Sequence, residues 1–151
     1  MEVNTKAPDF ALPDEEGKTL SLKHYRGKPV VLFFYPKANT SGCTAEASGF
    51  RDAYPKFQKA GAVVLGISPD KPAAQKKFKE KFGFPFSLLS DADKAVAKLF
   101  DVLKEKSMYG RKYLGIERTT FVIGADGKIA ASISGIKADG HPAAALAALK
   151  G

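Results

Sequence analysis

The chain has no tryptophan, two histidines and one cysteine in 151 residues, and each shortage removes a class of function. A lone cysteine cannot close an internal disulfide and cannot supply the Cys-X-X-Cys pair of a disulfide exchanger. With two scattered histidines it cannot complete a zinc site either, so neither metal nor cofactor is expected. A cysteine hydrolase needs a histidine beside its sulfur. His24 and His141 each stand in a turn ahead of an element, where exposed or capping histidines are expected. No apolar run approaches the ~20 residues of a membrane span, and the polar first residues, 1–6, lack an apolar signal segment. These absences point to a soluble protein of the reducing cytoplasm, with no membrane partner. Repeats, linkers and low-complexity tracts are missing too, which leaves a single domain over residues 1–151.

Arginine is also scarce. Basic residues outnumber acidic ones by 24 to 16, for a net charge of +8, but 20 of them are lysine and only 4 arginine. Phosphate and base recognition lean on arginine forks, so no specific nucleic-acid partner is expected. The densest lysine cluster, in residues 71–82, carries Phe78 and Phe82 four positions apart, which makes its lysines the solvated face of an amphipathic helix. Gly110 and Gly115 have the spacing of a phosphate loop, yet Ile116 and Glu117 stand where lysine and a hydroxyl residue are required.

What is present is organised around residues 30–47. Val30–Phe34 is a continuous apolar run suited to a strand buried on both faces. Pro36 ends it, and Asn39, Thr40, Ser41 and Gly42 are turn and N-cap residues ahead of a helix over 43–60, with a kink or restart near Tyr54 caused by Pro55. Cys43 is thereby placed at a helix N-terminus, where unpaired N–H groups and the helix dipole favour an anionic sulfur. The plainer reading of a lone cysteine is a small buried hydrophobe.

Before this segment, residues 9–12 and 19–22 read as a short hairpin capping one edge. After it come a strand at 62–68 parallel to the first, the helix at 71–82, a strand at 86–89 and a helix at 91–100 with an acidic first turn. Residues 104–117 show no clear period and are expected to form a long loop. A hairpin of 119–123 and 129–134 and a helix from His141 through Lys150 complete the chain. A β-α-β half followed by a β-β-α half is the thioredoxin-like order: an α/β fold with a central mixed sheet flanked by helices.

Pro36, Thr40 and Cys43 fit the Pro-X3-Thr/Ser-X2-Cys pattern of the peroxiredoxins. The string from Tyr35 through Asp52 resembles the bacterioferritin-comigratory, or PrxQ, branch, and so does the string from Lys106 through Phe121. The resemblance spans essentially the whole chain and independently implies the thioredoxin-like fold. One departure is visible: many members carry a second, resolving cysteine five residues after the first, and this chain has Ser48.

The resemblance implies a thiol peroxidase that reduces hydrogen peroxide and organic hydroperoxides. Cys43 would pass through a sulfenic acid and be restored by an external thiol of thioredoxin or glutaredoxin type, in a protein that is monomeric. A free thiol is about 3% ionised at pH 7, so full ionisation gains only about 30-fold. Most of the acceleration must come from donors aimed at the peroxide oxygens. The resemblance carries the family's active-site arginine onto Arg118, while Thr40 would bond the peroxide and Pro36 would shield it from water. Taken singly, Thr40 reads as a helix cap, Pro36 as a strand terminator and Arg118 as a surface charge. Glu46 reads equally as a capping-box acid or as the partner that holds Arg118. The alternative for the whole chain is a non-enzymatic binding module on a thioredoxin fold.

Overall fold

The computed structural model describes residues 2–150. In chain order its elements are β1 (Ala11–Pro13), β2 (Thr19–Ser21), β3 (Val30–Phe34), α1 (Ser41–Asp52), α2 (Tyr54–Lys59), β4 (Val63–Ser68), α3 (Pro72–Phe82) and β5 (Ser87–Ser90). There follow α4 (Ala95–Leu99), β6 (Leu103–Met108), β7 (Arg111–Ile116), β8 (Thr119–Ile123), β9 (Ile129–Ile133) and α5 (His141–Lys150).

The apolar run Val30–Phe34 is the middle strand of a five-stranded sheet in the order β5-β4-β3-β8-β9. Strand β3 is parallel to β4 and antiparallel to β8, so the sheet is mixed as expected. All five of its residues are buried because both faces are covered. Val31 and Phe33 pack with Phe50 of α1, Phe57 of α2, Phe78 of α3 and Ala145 of α5. Val30, Leu32 and Phe34 pack on the opposite face with Val96, Ala97 and Phe100 around α4, and with Leu12 and Leu22 of the N-terminal hairpin. That hairpin lies against the edge strand β5, and Glu15 and Glu16 beyond β1 pair with Lys79 and Lys76 of α3.

Pro55 acts as anticipated: α1 stops at Asp52 and α2 restarts at Tyr54 with the proline in its first turn. Two expectations need correction. Residues 104–117 are not a loop but mainly the antiparallel pair β6–β7, joined through Tyr109 and Gly110, which both hold positive φ (52° and 77°). A tight turn of this kind matches strand twist. The strand period was hidden because both strands are rich in charge, as in the Lys112–Glu105 pair. The helix expected over 91–100 shrinks to Ala95–Leu99, since Lys94 turns left-handed (φ 62°). Asp91 caps it from outside, accepting the N–H groups of Val96 and Ala97 at 3.1 and 2.8 Å.

Strand β4 holds Gly66 beside Phe33 of β3. A Cβ there would lie 2.8 Å from Phe33 Cζ and 2.9 Å from Leu88 Cδ2. Gly66→Ala is therefore expected to cost about 1–3 kcal/mol through overpacking. The measurement is the urea midpoint against wild type, and an unchanged midpoint would show that the two side chains yield freely.

Candidate active site

Sheet register brings the two distant sequence motifs together. Phe34 at the end of β3 pairs with Thr119 at the start of β8. The segment leaving β3 toward α1 is thus beside the residue that precedes β8, which is Arg118. The loop between β3 and α1 is tied down from β4: Asp70 accepts the N–H of Ala38 and the hydroxyl of Ser68, both at 2.7 Å. Asn39 turns the chain with φ 62°. Beneath it Tyr35 is fully buried and donates to Gln75.

Thr40 is the N-cap of α1 by its backbone, and its carbonyl accepts the first helical bond from Thr44 at 2.8 Å. Its side chain does not cap: Oγ1 donates to the Lys37 carbonyl at 3.0 Å, and the residue is exposed. Among the described residues, no protein acceptor meets the N–H groups of Gly42 and Cys43. Cys43 sits in the first turn and is buried, with 1% of its surface exposed. It is both a helix N-terminal sulfur and part of the apolar cluster under α1.

The Arg118 guanidinium spans two groups of α1. Its Nη2 donates to Cys43 Sγ at 3.4 Å, and its Nη1 donates to Glu46 Oε1 at 2.8 Å. A side chain on Gly42 would put a Cβ 3.0 Å from Nη2, so the guanidinium lies close across the first turn at a position that is bare. With the helix starting at Ser41, the capping-box position is Cys43, and Glu46 faces Arg118 instead. Pro36 stands half-buried at the start of the loop, and Ser48 is half-buried further along the unbroken α1.

Sequence reasoning missed His141. It is fully buried at the start of α5, with Nδ1 2.8 Å from Thr120 Oγ1 and 3.4 Å from Glu46 Oε2. The available signal was its spacing of four from Ala145, which is also fully buried. His24 is exposed, as expected.

Burial sets the electrostatics here. Glu46 is fully enclosed, and burial pushes its carboxyl up to about 7 although Arg118 pulls it down. Burial and then the Arg118 charge hold His141 down at about 4, so the imidazole is neutral. Arg118 itself loses affinity for its proton through burial but regains more from Glu46 and Cys43, and its proton affinity ends above the ordinary arginine value.

The chain matches solved structures of peroxiredoxins with a thioredoxin-like fold. It superposes on a Xanthomonas campestris bacterioferritin comigratory protein, studied for alkyl peroxide reduction, with a TM-score of 0.92 and 40% identity, covering 99% of this chain and 98% of that one. A cysteine-to-serine mutant of Xylella fastidiosa PrxQ gives a TM-score of 0.93 at 36% identity, with 99% and 96% covered. A bcp protein of Coxiella burnetii is 52% identical over 143 residues, 95% of each chain. A family model described as AhpC/TSA matches residues 3–132. The chain belongs to the AhpC/TSA family, in its Bcp/PrxQ branch of peroxiredoxins. It is accordingly a thiol peroxidase, acting on peroxides with a thiol reductant. No helix among the described residues is long and apolar enough to cross a membrane.

The two shifted groups act oppositely on stability. Glu46, raised from 4.5 to about 7, contributes stability that is full below 4.5 and lost as pH rises through 7. His141, lowered from 6.5 to about 4, contributes stability that is full above 6.5 and lost as pH falls through 4. Across the shared window the native protein keeps the pair's one proton on Glu46, whereas the unfolded chain keeps it on His141. Glu46→Gln should therefore gain stability relative to wild type as pH rises from 4.5 to about 7. Urea midpoints of both proteins across that range check this, and a constant difference would mean that the carboxyl is ionised throughout.

Proposed function

We propose that Cys43 is the peroxidatic nucleophile, and that Arg118, Thr40 and the Cys43 N–H receive the charge that develops on the peroxide. The Cys43 sulfur attacks the terminal oxygen of ROOH: an S–O bond forms, the O–O bond breaks, and RO⁻ leaves and takes up a proton as ROH. Cys43 is left as a sulfenic acid. An external thiol then forms a mixed disulfide with Cys43 and releases water, and a second thiol restores the starting sulfur. The observation that carries this reading is the single guanidinium donating to both Cys43 Sγ (3.4 Å) and Glu46 Oε1 (2.8 Å). A donor fixed in this way beside the sulfur is positioned to act where charge appears during O–O cleavage, which is where preorganised electrostatics count most.

The half-buried Pro36 shields the sulfur from water, and Glu46 holds the arginine. Substrates are hydrogen peroxide and organic hydroperoxides, and the reductant is of thioredoxin or glutaredoxin type. The chain works as one domain and as a monomer in the cytoplasm, as the branch resemblance and the lone cysteine support.

Arg118→Met should slow peroxide reduction by about 100-fold or more, the scale of losing one preorganised donor, and by far more than the thiolate fraction changes. Stopped-flow peroxide reduction beside a pH titration of thiol alkylation separates the two. A rate loss that merely tracked thiolate population would remove the oxyanion role.

Ser48 shapes the fate of the oxidised sulfur. Positions 43 and 48 share the continuous helix α1, which separates their Cα atoms by about 8–9 Å, beyond the ~7 Å reach of a disulfide. One equivalent of peroxide without reductant should add one oxygen to the wild-type mass, and excess peroxide should add more. Ser48→Cys should instead lose two hydrogens, with a fall in far-UV helical signal as the first turns of α1 open. An internal disulfide formed with full helix content would contradict the intact-helix geometry.

A further inference from the structure

The Glu46 carboxyl is served unevenly. Arg118 satisfies Oε1, while Oε2 is buried with no hydrogen-bond partner among the described residues. The side chain aimed at it is His141, whose Nδ1 lies 3.4 Å away. The same nitrogen is 2.8 Å from Thr120 Oγ1 on β8, which fixes the plane of the ring. The backbone holds this arrangement as well. Pro142 packs so closely on Gly49 of α1 that a Cβ there would sit 2.9 Å from Pro142 Cγ, and this locks the start of α5 one turn beyond Glu46.

We propose that His141 is a positioning residue of the peroxidase site: from α5 it supplies the Nδ1 side of a neutral imidazole to Glu46 Oε2, and through Glu46 it holds the Arg118 guanidinium on Cys43. The inference rests on the role proposed above for Arg118 and Cys43. With its proton on Nδ1, the ring directs a donor between Thr120 Oγ1 and Glu46 Oε2, and only the Nε2 lone pair stays unmatched in the core. A buried carboxylate with one bare oxygen is costly, and a donor at that oxygen favours the ionised form. The ionised form is the one that pins Arg118. Burial brings Glu46 up to about 7 with Arg118 opposing it, so a donor at Oε2 tips the carboxyl toward the ionised form at neutral pH, and without that donor the guanidinium is freer to swing from the sulfur. The titratable groups facing one another are Cys43 and Glu46 of α1, Arg118 ahead of β8 and His141 of α5, with Tyr35 behind the sulfur.

The test is the pH profile of kcat/KM for hydrogen peroxide, with melting temperatures measured alongside, for His141→Asn, His141→Gln, His141→Leu, Glu46→Gln and the Glu46→Gln/His141→Leu double variant. Asparagine places an amide N–H where Nδ1 stands but does not titrate. Glutamine reaches the Nε2 position and leaves the Nδ1 position empty. The acid limb of the profile should stay within a few tenths of a unit of wild type for His141→Asn. For His141→Gln and His141→Leu it should move up by about one unit, a tenfold change in proton affinity, with activity recovering at high pH. In the Glu46→Gln background, His141→Leu should cause no further loss. The inference is overturned if the Gln and Leu profiles superpose on wild type, or if the Glu46 and His141 losses multiply. If His141→Leu does not fold, the Asn and Gln pair decides alone, since both keep a polar side chain of similar size. Cys43→Ser separates the two levels: retained peroxide reduction there would defeat the reading of the site itself, whereas its loss together with unshifted His141 profiles would defeat only the role of His141.

Discussion

The Arg118 guanidinium is the constraint on which the site depends. It is one cation facing a sulfur and a carboxyl, and all three are largely removed from water. A cation in this position stays only if it is paired, and a buried carboxylate stays ionised only if it is served. Several features of the surrounding chain follow. Position 42 is bare where the guanidinium crosses the first turn closely, and β8 starts beside the end of β3, which brings Arg118 there. Helix α5 must then dock tightly enough to enclose the far side of the carboxyl.

Much of this was legible in the sequence where one local rule decided the outcome. Five consecutive apolar, β-branched and aromatic residues suited a strand covered on both faces, and Pro55 marked the kink or restart of a helix. Cys43, Thr40 and Arg118 were reachable through spacing shared with a known family. The β6–β7 pair was not legible, because strands whose two faces are both rich in charge show no alternation of apolar and polar residues. Nor was the placement of Glu46 opposite Arg118. It turned on whether the helix began at Ser41 or Cys43, and boundaries shift by one or two residues for reasons that lie outside the helix. His141 was misread for a related reason. A histidine before an apolar helix is ordinarily wet, and only the docking of α5 against α1 and β8 makes this one dry.

The opposed proton affinities of Glu46 and His141 give folding an internal proton transfer, from imidazole in the open chain to carboxyl in the native one. Such a pair hides two large perturbations behind a nearly flat dependence of stability on pH. A titration of the whole protein would therefore under-report how strained the site is, and single substitutions are needed to expose it.

The burial of the Arg118–Glu46 pair also divides the molecule's response to ionic strength. The surplus of lysines is carried largely on the outside, as along α3, where dissolved ions screen charge within about 10 Å. Glu46 is sealed from solvent and Arg118 shows about a fifth of its side chain, so their attraction is insulated from that screening. Added salt therefore acts on how a charged partner approaches the surface and leaves the chemistry around the sulfur nearly untouched. Encounter and reaction in this protein answer to separate electrostatic controls.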